Sequence, residues 1–124
     1  MPLKKILIVD DRAEMRKLVE ASLRSENHFF IYAASGLEGW KKLQEERPDL
    51  VVLDIMMPGV IDGLTVLRRL RAAPDLKNCK VVLLTGKGQQ EDLAKGLSAG
   101  ADAYMVKPFS PRELVALVTT LLAE

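Results

Sequence analysis

The sequence has little of what several classes of protein depend on. Its single cysteine, Cys79, cannot form an internal disulfide, which is expected of a protein from a reducing compartment such as the cytoplasm. Aromatic residues make up 5% of the chain, too few for a surface on which nucleic-acid bases stack. The net charge is +1, so the charge balance does not indicate direct binding to nucleic acid or to an anionic membrane.

Long hydrophobic runs are missing as well. The apolar run nearest the start, residues 6–9, is too short for the core of a signal peptide or for a membrane span. The chain has 124 residues, of which 48% are hydrophobic and 28% charged, so it can bury one core without disulfides. No repeat, linker or low-complexity tract divides the sequence. We therefore expect a single soluble domain over residues 1–124.

What is present is a strict alternation of two patterns. Five short apolar runs predict β-strands, at residues 6–9, 29–34, 50–53, 81–84 and 103–106. Each is followed by a stretch with apolar residues at helical spacing, which predicts helices at residues 12–25, 35–47, 63–73, 89–99 and 111–123. The pattern predicts an α/β fold in which helices cover both faces of a doubly wound parallel sheet.

The starts and faces of the helices are also marked. Ser110 offers an N-cap to the last helix, with proline at the first helical position and Glu113 completing a capping box. The segments that begin at Asp11 and Ser35 follow the same pattern more loosely. The residues predicted to share one side of the second helix are Leu37, Trp40 and Leu43.

Three aspartates are predicted at one edge of the sheet. Asp10 and Asp11 follow the first strand and Asp54 follows the third, and open α/β sheets bind ligands beyond the carboxyl ends of their strands. Carboxylates that lie this close repel one another unless a cation lies between them. Oxygen ligands favour a hard cation such as Mg²⁺. The alternative is that these aspartates only cap helices and form turns, which explains one aspartate better than three.

Two further polar residues are predicted at the same edge. Lys107 follows the fifth strand and would bring a cation beside a carboxylate or an incoming phosphoryl oxygen. Thr85 ends the fourth strand, and Gly86 after it would leave room for a ligand that accepts the hydroxyl hydrogen bond. Taken singly, the first is an ordinary exposed lysine and the second a turn-capping threonine. The bond from Lys107 to Pro108 is a candidate cis peptide.

With these residues in place, the chain resembles the receiver domains of bacterial response regulators. The motifs that carry the resemblance are Asp10-Asp11, Asp54, Met57-Pro58, Asp62-Gly63, Thr85-Gly86 and Lys107-Pro108-Phe109. Each is weak alone, but the ordered set is specific and the resemblance spans residues 6–122. It implies a flavodoxin-like sheet of strand order 2-1-3-4-5 with five helices. It also implies that residues 1–124 are one receiver domain, with no output domain in this chain.

The resemblance implies a role for each residue at this edge. Asp54 is expected to be the phosphoacceptor of a two-component phosphorelay, with Thr85 and Lys107 binding the phosphoryl oxygens. The residues expected at the Mg²⁺ site are Asp10, Asp11, Asp54 and the backbone carbonyl of Met56. The donor would be a sensor histidine kinase or a phosphotransfer protein. The implied function is that of a cytoplasmic signalling protein, not an enzyme, because its chemistry is limited to its own phosphorylation and dephosphorylation.

The resemblance also implies a switch. Thr85 would be drawn toward the phosphoryl group, and Tyr104, nineteen positions later, would fill the space that it leaves. The face formed by the last two helices and the fifth strand, with Val106, would then meet a partner, and a homodimer through this face is one possibility. The plainer interpretation of Tyr104 is a half-buried strand tyrosine.

One loop departs from the family pattern. Three residues, Gly59, Val60 and Ile61, separate the Met-Pro and Asp-Gly motifs, where the family commonly has two. The extra residue puts in question the local backbone path and the access of partners beside the metal site. Met56 and Lys87 occupy the two variable positions that flank the site and, in this family, influence how long the phosphoryl group survives.

Three other functions fit parts of the pattern. A flavodoxin-like electron carrier would need a phosphate-binding loop after the first strand, where Asp-Asp-Arg would repel a phosphate. A haloacid-dehalogenase-like phosphatase would need a second aspartate two residues after the nucleophile, where Met56 stands. A receiver-like interaction module that is not phosphorylated keeps the fold, but the complete set of site residues argues against it. His28 falls in a predicted loop, as a solvated residue and not a phosphorylated histidine.

Overall fold

The chain folds into a parallel sheet with helices on both faces. The computed structural model describes residues 3–24, 28–86 and 90–123. The strands are β1 (Lys5–Val9), β2 (Phe29–Ala33), β3 (Leu50–Asp54), β4 (Lys80–Thr85) and β5 (Ala103–Val106). The helices are α1 (Ala13–Leu23), α2 (Gly36–Glu46), α3 (Gly63–Ala72), α4 (Gln90–Ser98) and α5 (Pro111–Leu122). The strand order is β2-β1-β3-β4-β5, which confirms the predicted doubly wound fold.

The observed elements agree with the predicted ones, and their ends differ by at most two residues. Two predicted helix ends, Ser25 and Gln89, lie outside the described residues. A short 3₁₀ helix at Pro74–Leu76, between α3 and β4, was not predicted. None of the described helices has both the length and the hydropathy of a segment that spans a bilayer.

The predicted helix caps are confirmed in two cases and wrong in one. Ser35 and Ser110 accept hydrogen bonds from the backbone N–H groups of the residues three positions later, as an N-cap does. The loosely predicted cap at Asp11 is wrong, because α1 begins one residue later and its N-cap is Arg12. The Arg12 side chain makes no cap hydrogen bond. The start of α1 is therefore determined by something other than a capping side chain.

The three central strands are buried because helices cover both faces of the sheet. Every residue of β3 is buried, as are all residues of β1 after its first. Alternate side chains point to opposite faces, so Leu53 and Leu83 join the core under α2 and α3, whereas Val52 and Leu84 join the core under α1 and α5. Two polar residues, Asp54 and Thr85, lie at the carboxyl ends of the buried strands β3 and β4.

The second helix lies close to the sheet, because two of its buried positions are glycines. Of the three residues predicted to share one side of α2, Leu43 is buried and Trp40 is partly buried, whereas Leu37 is 64% exposed. The buried positions of α2 are Gly36, Gly39 and Leu43. A Cβ atom on Gly39 would lie 2.9 Å from a methyl carbon of Val9, and one on Gly36 would lie 2.0 Å from the backbone oxygen of Ile61. The absence of side chains therefore lets the helix contact the sheet and the loop directly.

A third glycine fixes the loop after β3. Gly63 begins α3, and its N–H donates to the backbone oxygen of Ile55 at 3.0 Å. A Cβ atom there would lie 2.2 Å from the backbone oxygen of Asp54 and 2.8 Å from the Cα of Ile55. Asp62 caps the same helix by accepting the N–H of Thr65 at 2.9 Å. The start of α3 is thus packed against the backbone of the last residue of β3.

Substituting this glycine tests the close approach. Gly63→Ala is expected to reduce the free energy of unfolding by about 1–3 kcal/mol, because the new methyl group meets backbone atoms that cannot rotate away. Gly96→Ala is the matched control, since its Cβ meets the terminal methyl of Leu83, which can move, and alanine favours a helix. Urea denaturation of both variants measures the difference. Equal losses of stability would contradict the prediction that a methyl group costs more at Gly63 than at Gly96.

Candidate functional site

Three carboxylates meet at the carboxyl edge of the sheet. Asp10 directly follows β1, and Asp54 is the last residue of the neighbouring strand β3. One carboxylate oxygen from each of Asp10, Asp11 and Asp54 lies within 4.8 Å of the others. Asp10 is fully buried and Asp54 is 4% exposed, whereas Asp11 is exposed. Two of the three charges therefore lie where water screens them poorly.

Lys107 lies between the two buried carboxylates. Its Nζ is 3.2 Å from Oδ1 of Asp54 and 3.4 Å from Oδ2 of Asp10. The backbone N–H of Lys107 donates to the backbone oxygen of Thr85 at 2.7 Å, which joins the ends of β5 and β4. The Lys107–Pro108 peptide bond is cis, the isomer that the sequence allowed. The lysine predicted at this edge is therefore in contact with both buried acids.

The backbone and side chain of Asp10 are held from several directions. Its N–H donates to the backbone oxygen of Ala33 at 3.1 Å, and its backbone oxygen accepts from Nη1 of Arg16 at 2.7 Å. Oδ1 accepts the backbone N–H of Arg12 at 2.9 Å, and Nε of the same arginine lies 3.6 Å away. Sequence reasoning did not identify Arg12 as a site residue, although its place directly after two aspartates was the available signal.

The surroundings of Asp54 make its ionisation harder. Burial raises the pKa of this carboxyl, and the nearby charge of Asp10 raises it further. The charge and hydrogen bond of Lys107, with a backbone hydrogen bond from Met56, act in the opposite direction without cancelling the rise. An additional cation at this edge would therefore favour the ionised form of Asp54, which is the form that can act as a nucleophile.

The other predicted site residues lie on or beside the same edge. Thr85 is 2% exposed at the end of β4, one residue beyond Leu84, which is paired with Asp54. Tyr104 is 44% exposed on β5, on the face that Leu83 and Thr85 share. Met56 is 52% exposed two residues after Asp54. The other flanking position, Lys87, lies outside the described residues.

The longer loop is accommodated by turning one residue outward. Gly59 has a φ of 114°, a left-handed conformation that glycine adopts without strain. Val60 is fully exposed, whereas Ile61 is 7% exposed and belongs to the core under α2 and α3. The loop therefore rejoins the core at Ile61, and its extra length projects into solvent beside the acidic edge.

The donors at this edge fit a hard divalent cation. The three aspartates supply only oxygen ligands, and their spacing lets one ion contact more than one of them. Mg²⁺ takes few carboxylates and completes its shell with water and phosphate oxygens, so an exposed acid such as Asp11 suits it. Soft metals are disfavoured because none of these ligands is a thiolate or an imidazole.

Comparison with known proteins assigns the family. Residues 6–119 match the family model described as the response regulator receiver domain. The chain belongs to this family. Its homologues are two-component response regulators, and this receiver domain is a signalling module.

The receiver domain is similar to one part of several longer regulators. It is 44% identical over 118 residues to the transcriptional regulatory protein ResD of Bacillus subtilis, a match that covers 95% of this chain and 48% of that protein. It is 39% identical over 120 residues to the phosphate regulon transcriptional regulatory protein PhoB of Rhizobium meliloti, covering 97% of this chain and 52% of that protein. The chain thus spans about half the length of these curated relatives.

Solved structures show the same fold. A CheY-like response regulator receiver domain protein from Methanospirillum hungatei has a TM-score of 0.90 and 32% identity, covering 98% of this chain and 95% of that chain. The chemotaxis response regulator CheY4 of Vibrio cholerae has a TM-score of 0.87 and 29% identity, covering 97% of this chain and 99% of that chain. The doubly wound sheet of this receiver domain is therefore the fold of its family.

The raised pKa of Asp54 predicts a pH-dependent effect of its substitution. A carboxyl whose pKa is raised on folding favours the folded state at low pH, and this contribution is lost as the pH rises through the folded value. Asp54→Asn is therefore expected to be more stable than the native chain above the folded pKa. The difference should disappear as the pH falls toward the ordinary value of 3.8.

Urea denaturation at a series of pH values from the ordinary value of 3.8 up to neutrality, with a chelator present, measures this difference. Asp62→Asn is the control, because asparagine caps a helix as well as aspartate does. An Asp54→Asn variant that is less stable than the native chain at pH near 7 would contradict the prediction.

Proposed function

We propose that this receiver domain accepts a phosphoryl group on Asp54 in a Mg²⁺-dependent reaction and that the modified site switches a neighbouring surface. The observation that supports the proposal most directly is the contact of Asp54 with Lys107 at 3.2 Å within a cluster of three acids. One nucleophile, one fixed cation and acidic ligands for a second cation are the parts that phosphoryl transfer needs, since it depends on positioning and charge neutralisation.

The proposed reaction is an in-line displacement at phosphorus. A carboxylate oxygen of Asp54 forms a bond to the phosphorus atom as the bond from phosphorus to the donor breaks. The donor leaves with the electron pair, as acetate from acetyl phosphate or, after taking up a proton, as imidazole from a phosphohistidine. A bound Mg²⁺, held by Asp11, Asp54 and the backbone carbonyl of Met56 with Asp10 nearby, would neutralise charge on the phosphoryl oxygens. Water later hydrolyses the aspartyl phosphate.

Lys107 and Thr85 receive the oxygens of the transferred group. The ammonium of Lys107 already lies against Asp54 and is only 15% exposed, so it meets a new phosphoryl oxygen without moving far and with little competition from water. Thr85 ends the strand next to Asp54, where its hydroxyl can donate to another oxygen. Both residues bind more strongly as negative charge increases, which is how they would favour the transition state.

The proposed chemistry needs a phosphoryl donor and an output. A sensor histidine kinase or a phosphotransfer protein is the donor, in the cytoplasm. The output is a further domain or a separate protein, because the chain spans about half the length of relatives that are transcriptional regulators. The receiver domain is proposed to extend beyond the matched residues 6–119 to the whole of residues 1–124.

The proposed switch uses the exposed edge of the sheet. When Thr85 is drawn toward the phosphoryl group, Tyr104 turns inward on the face that the two residues share. Val106, which is 40% exposed, lies opposite Thr85 on β5 and belongs to the surface that changes. A partner, or a second copy of the chain, binds this surface when the phosphorylated state is populated.

Intact mass spectrometry tests the chemistry. Incubation with acetyl phosphate and Mg²⁺ is expected to add the mass of one phosphoryl group to the native chain. The addition should be lost with a chelator or in Asp54→Asn, because either change removes a part of the reaction. Asp62→Asn, which alters a helix-capping aspartate close to the site, should still be modified. A folded native chain that forms no adduct with any donor would favour the interaction module that is not phosphorylated.

The two tyrosines of the chain test the switch. On phosphorylation, Tyr104 is expected to lose most of its 44% exposure, so its labelling by hydroxyl radicals should fall several-fold. Tyr32, which is 40% exposed on β2 at the opposite edge of the sheet, is the internal control and should be unchanged. Thr85→Ala is expected to abolish the change at Tyr104 without preventing the adduct. Equal labelling of Tyr104 in both states would rule out this route.

A further inference from the structure

We infer that Arg12 is a positioning residue that sets the charge of the acidic site, weakening Mg²⁺ binding before phosphorylation and favouring the phosphorylated state. Its Nε lies 3.6 Å from Oδ1 of Asp10, while Lys107 contacts the other oxygen of the same carboxylate at 3.4 Å. Asp10 is fully buried, so water screens its contacts with these two cations poorly. The inference rests on the proposed Mg²⁺-dependent function.

Local helix preferences do not explain an arginine at this position. Arg12 is the N-cap of α1, and its side chain makes no cap hydrogen bond. Ser, Thr, Asp and Asn are preferred there, and a cation is disfavoured at the positive end of the helix dipole. The backbone N–H of Arg12 donates to Asp10 at 2.9 Å, a bond that most other residues could make equally well. The guanidinium therefore destabilises the start of α1, and its contact with Asp10 offsets this loss of stability.

The charge balance gives the direction of the effect. With all groups ionised, the three acids, Lys107 and Arg12 carry a net charge of minus one. Replacing Arg12 by a neutral residue would make this net charge minus two. A divalent cation is thus attracted less strongly with Arg12 present. A phosphoryl group adds negative charge, so the same arginine stabilises the phosphorylated form. Arg12 is 47% exposed, and the effect should be modest and weakened by salt.

Calorimetric titration of the whole chain with MgCl₂ tests the inference without any phosphoryl donor. In low salt, Arg12→Gln is expected to bind Mg²⁺ about threefold to tenfold more tightly than the native chain, and the difference should shrink at high ionic strength. Arg12→Lys keeps the charge and should bind within about twofold of the native value. Lys17→Gln is the matched control, because it removes one exposed charge from the same helix and should change nothing.

A second measurement separates a charge effect from a structural one. At saturating Mg²⁺, phosphorylation of Arg12→Gln by acetyl phosphate should be about threefold slower or more, and Arg12→Lys should restore the native rate. If Mg²⁺ binds the native chain but Arg12→Gln binds it no more tightly, the role of Arg12 is overturned while the proposed function stands. If none of these proteins binds Mg²⁺, both are overturned. Tighter binding by Arg12→Gln supports the inference even if no donor modifies Asp54.

Discussion

The repulsion among three clustered carboxylates is the constraint on which the rest of this receiver domain depends. Asp10 and Asp54 are held in a nearly water-free place, within 4.8 Å of each other and of Asp11. Such an arrangement is unfavourable by itself, since each buried charge loses hydration and faces a like charge. Lys107 relieves part of this cost through contacts of 3.2 and 3.4 Å. The charge that remains is what makes the site receptive to a divalent cation.

The buried hydrophobic sheet stabilises the fold enough to offset the unfavourable burial of these charges. Residues of β1, β3 and β4 are buried on both faces, so the strands whose ends hold the acids belong to the well-packed core of the fold. Gly63 lets α3 start against the backbone of Asp54, and the backbone bond from Lys107 to Thr85 joins the ends of β5 and β4. The acids cannot move apart without breaking these contacts. Binding a cation therefore relieves the repulsion at a lower cost in free energy.

The edges of the sheet differ from its centre in a way that suits signalling. One face of β5 packs against the core, and the other face exposes Tyr104 and Val106. These two residues lie close to Thr85 at the end of β4. A change at the buried acids therefore needs to cross only one strand to reach the surface. The loop between β3 and α3 adds one further exposed apolar residue, Val60, to the surface.

Much of this protein can be predicted from its sequence, because parallel strands bring their carboxyl ends to one edge and side chains alternate along each strand. The alternating pattern predicts the sheet, and the positions of Asp10, Asp54 and Lys107 after predicted strands place them together, although Lys107 and Asp10 are 97 residues apart.

Contacts between elements were decided only by the tertiary structure. Helical spacing put Leu37 and Leu43 on one side of α2, but only the structure shows that Leu43 is buried while Leu37 is exposed and two glycines contact the sheet and the loop. Nothing local distinguishes Val60 from Ile61, of which only the second is buried. The capping pattern pointed to Asp11, whereas packing set the N-cap at Arg12 and its guanidinium against Asp10. The physical reason is that a periodic pattern specifies the face of an element, whereas distances of 3–4 Å depend on how neighbouring elements fit together.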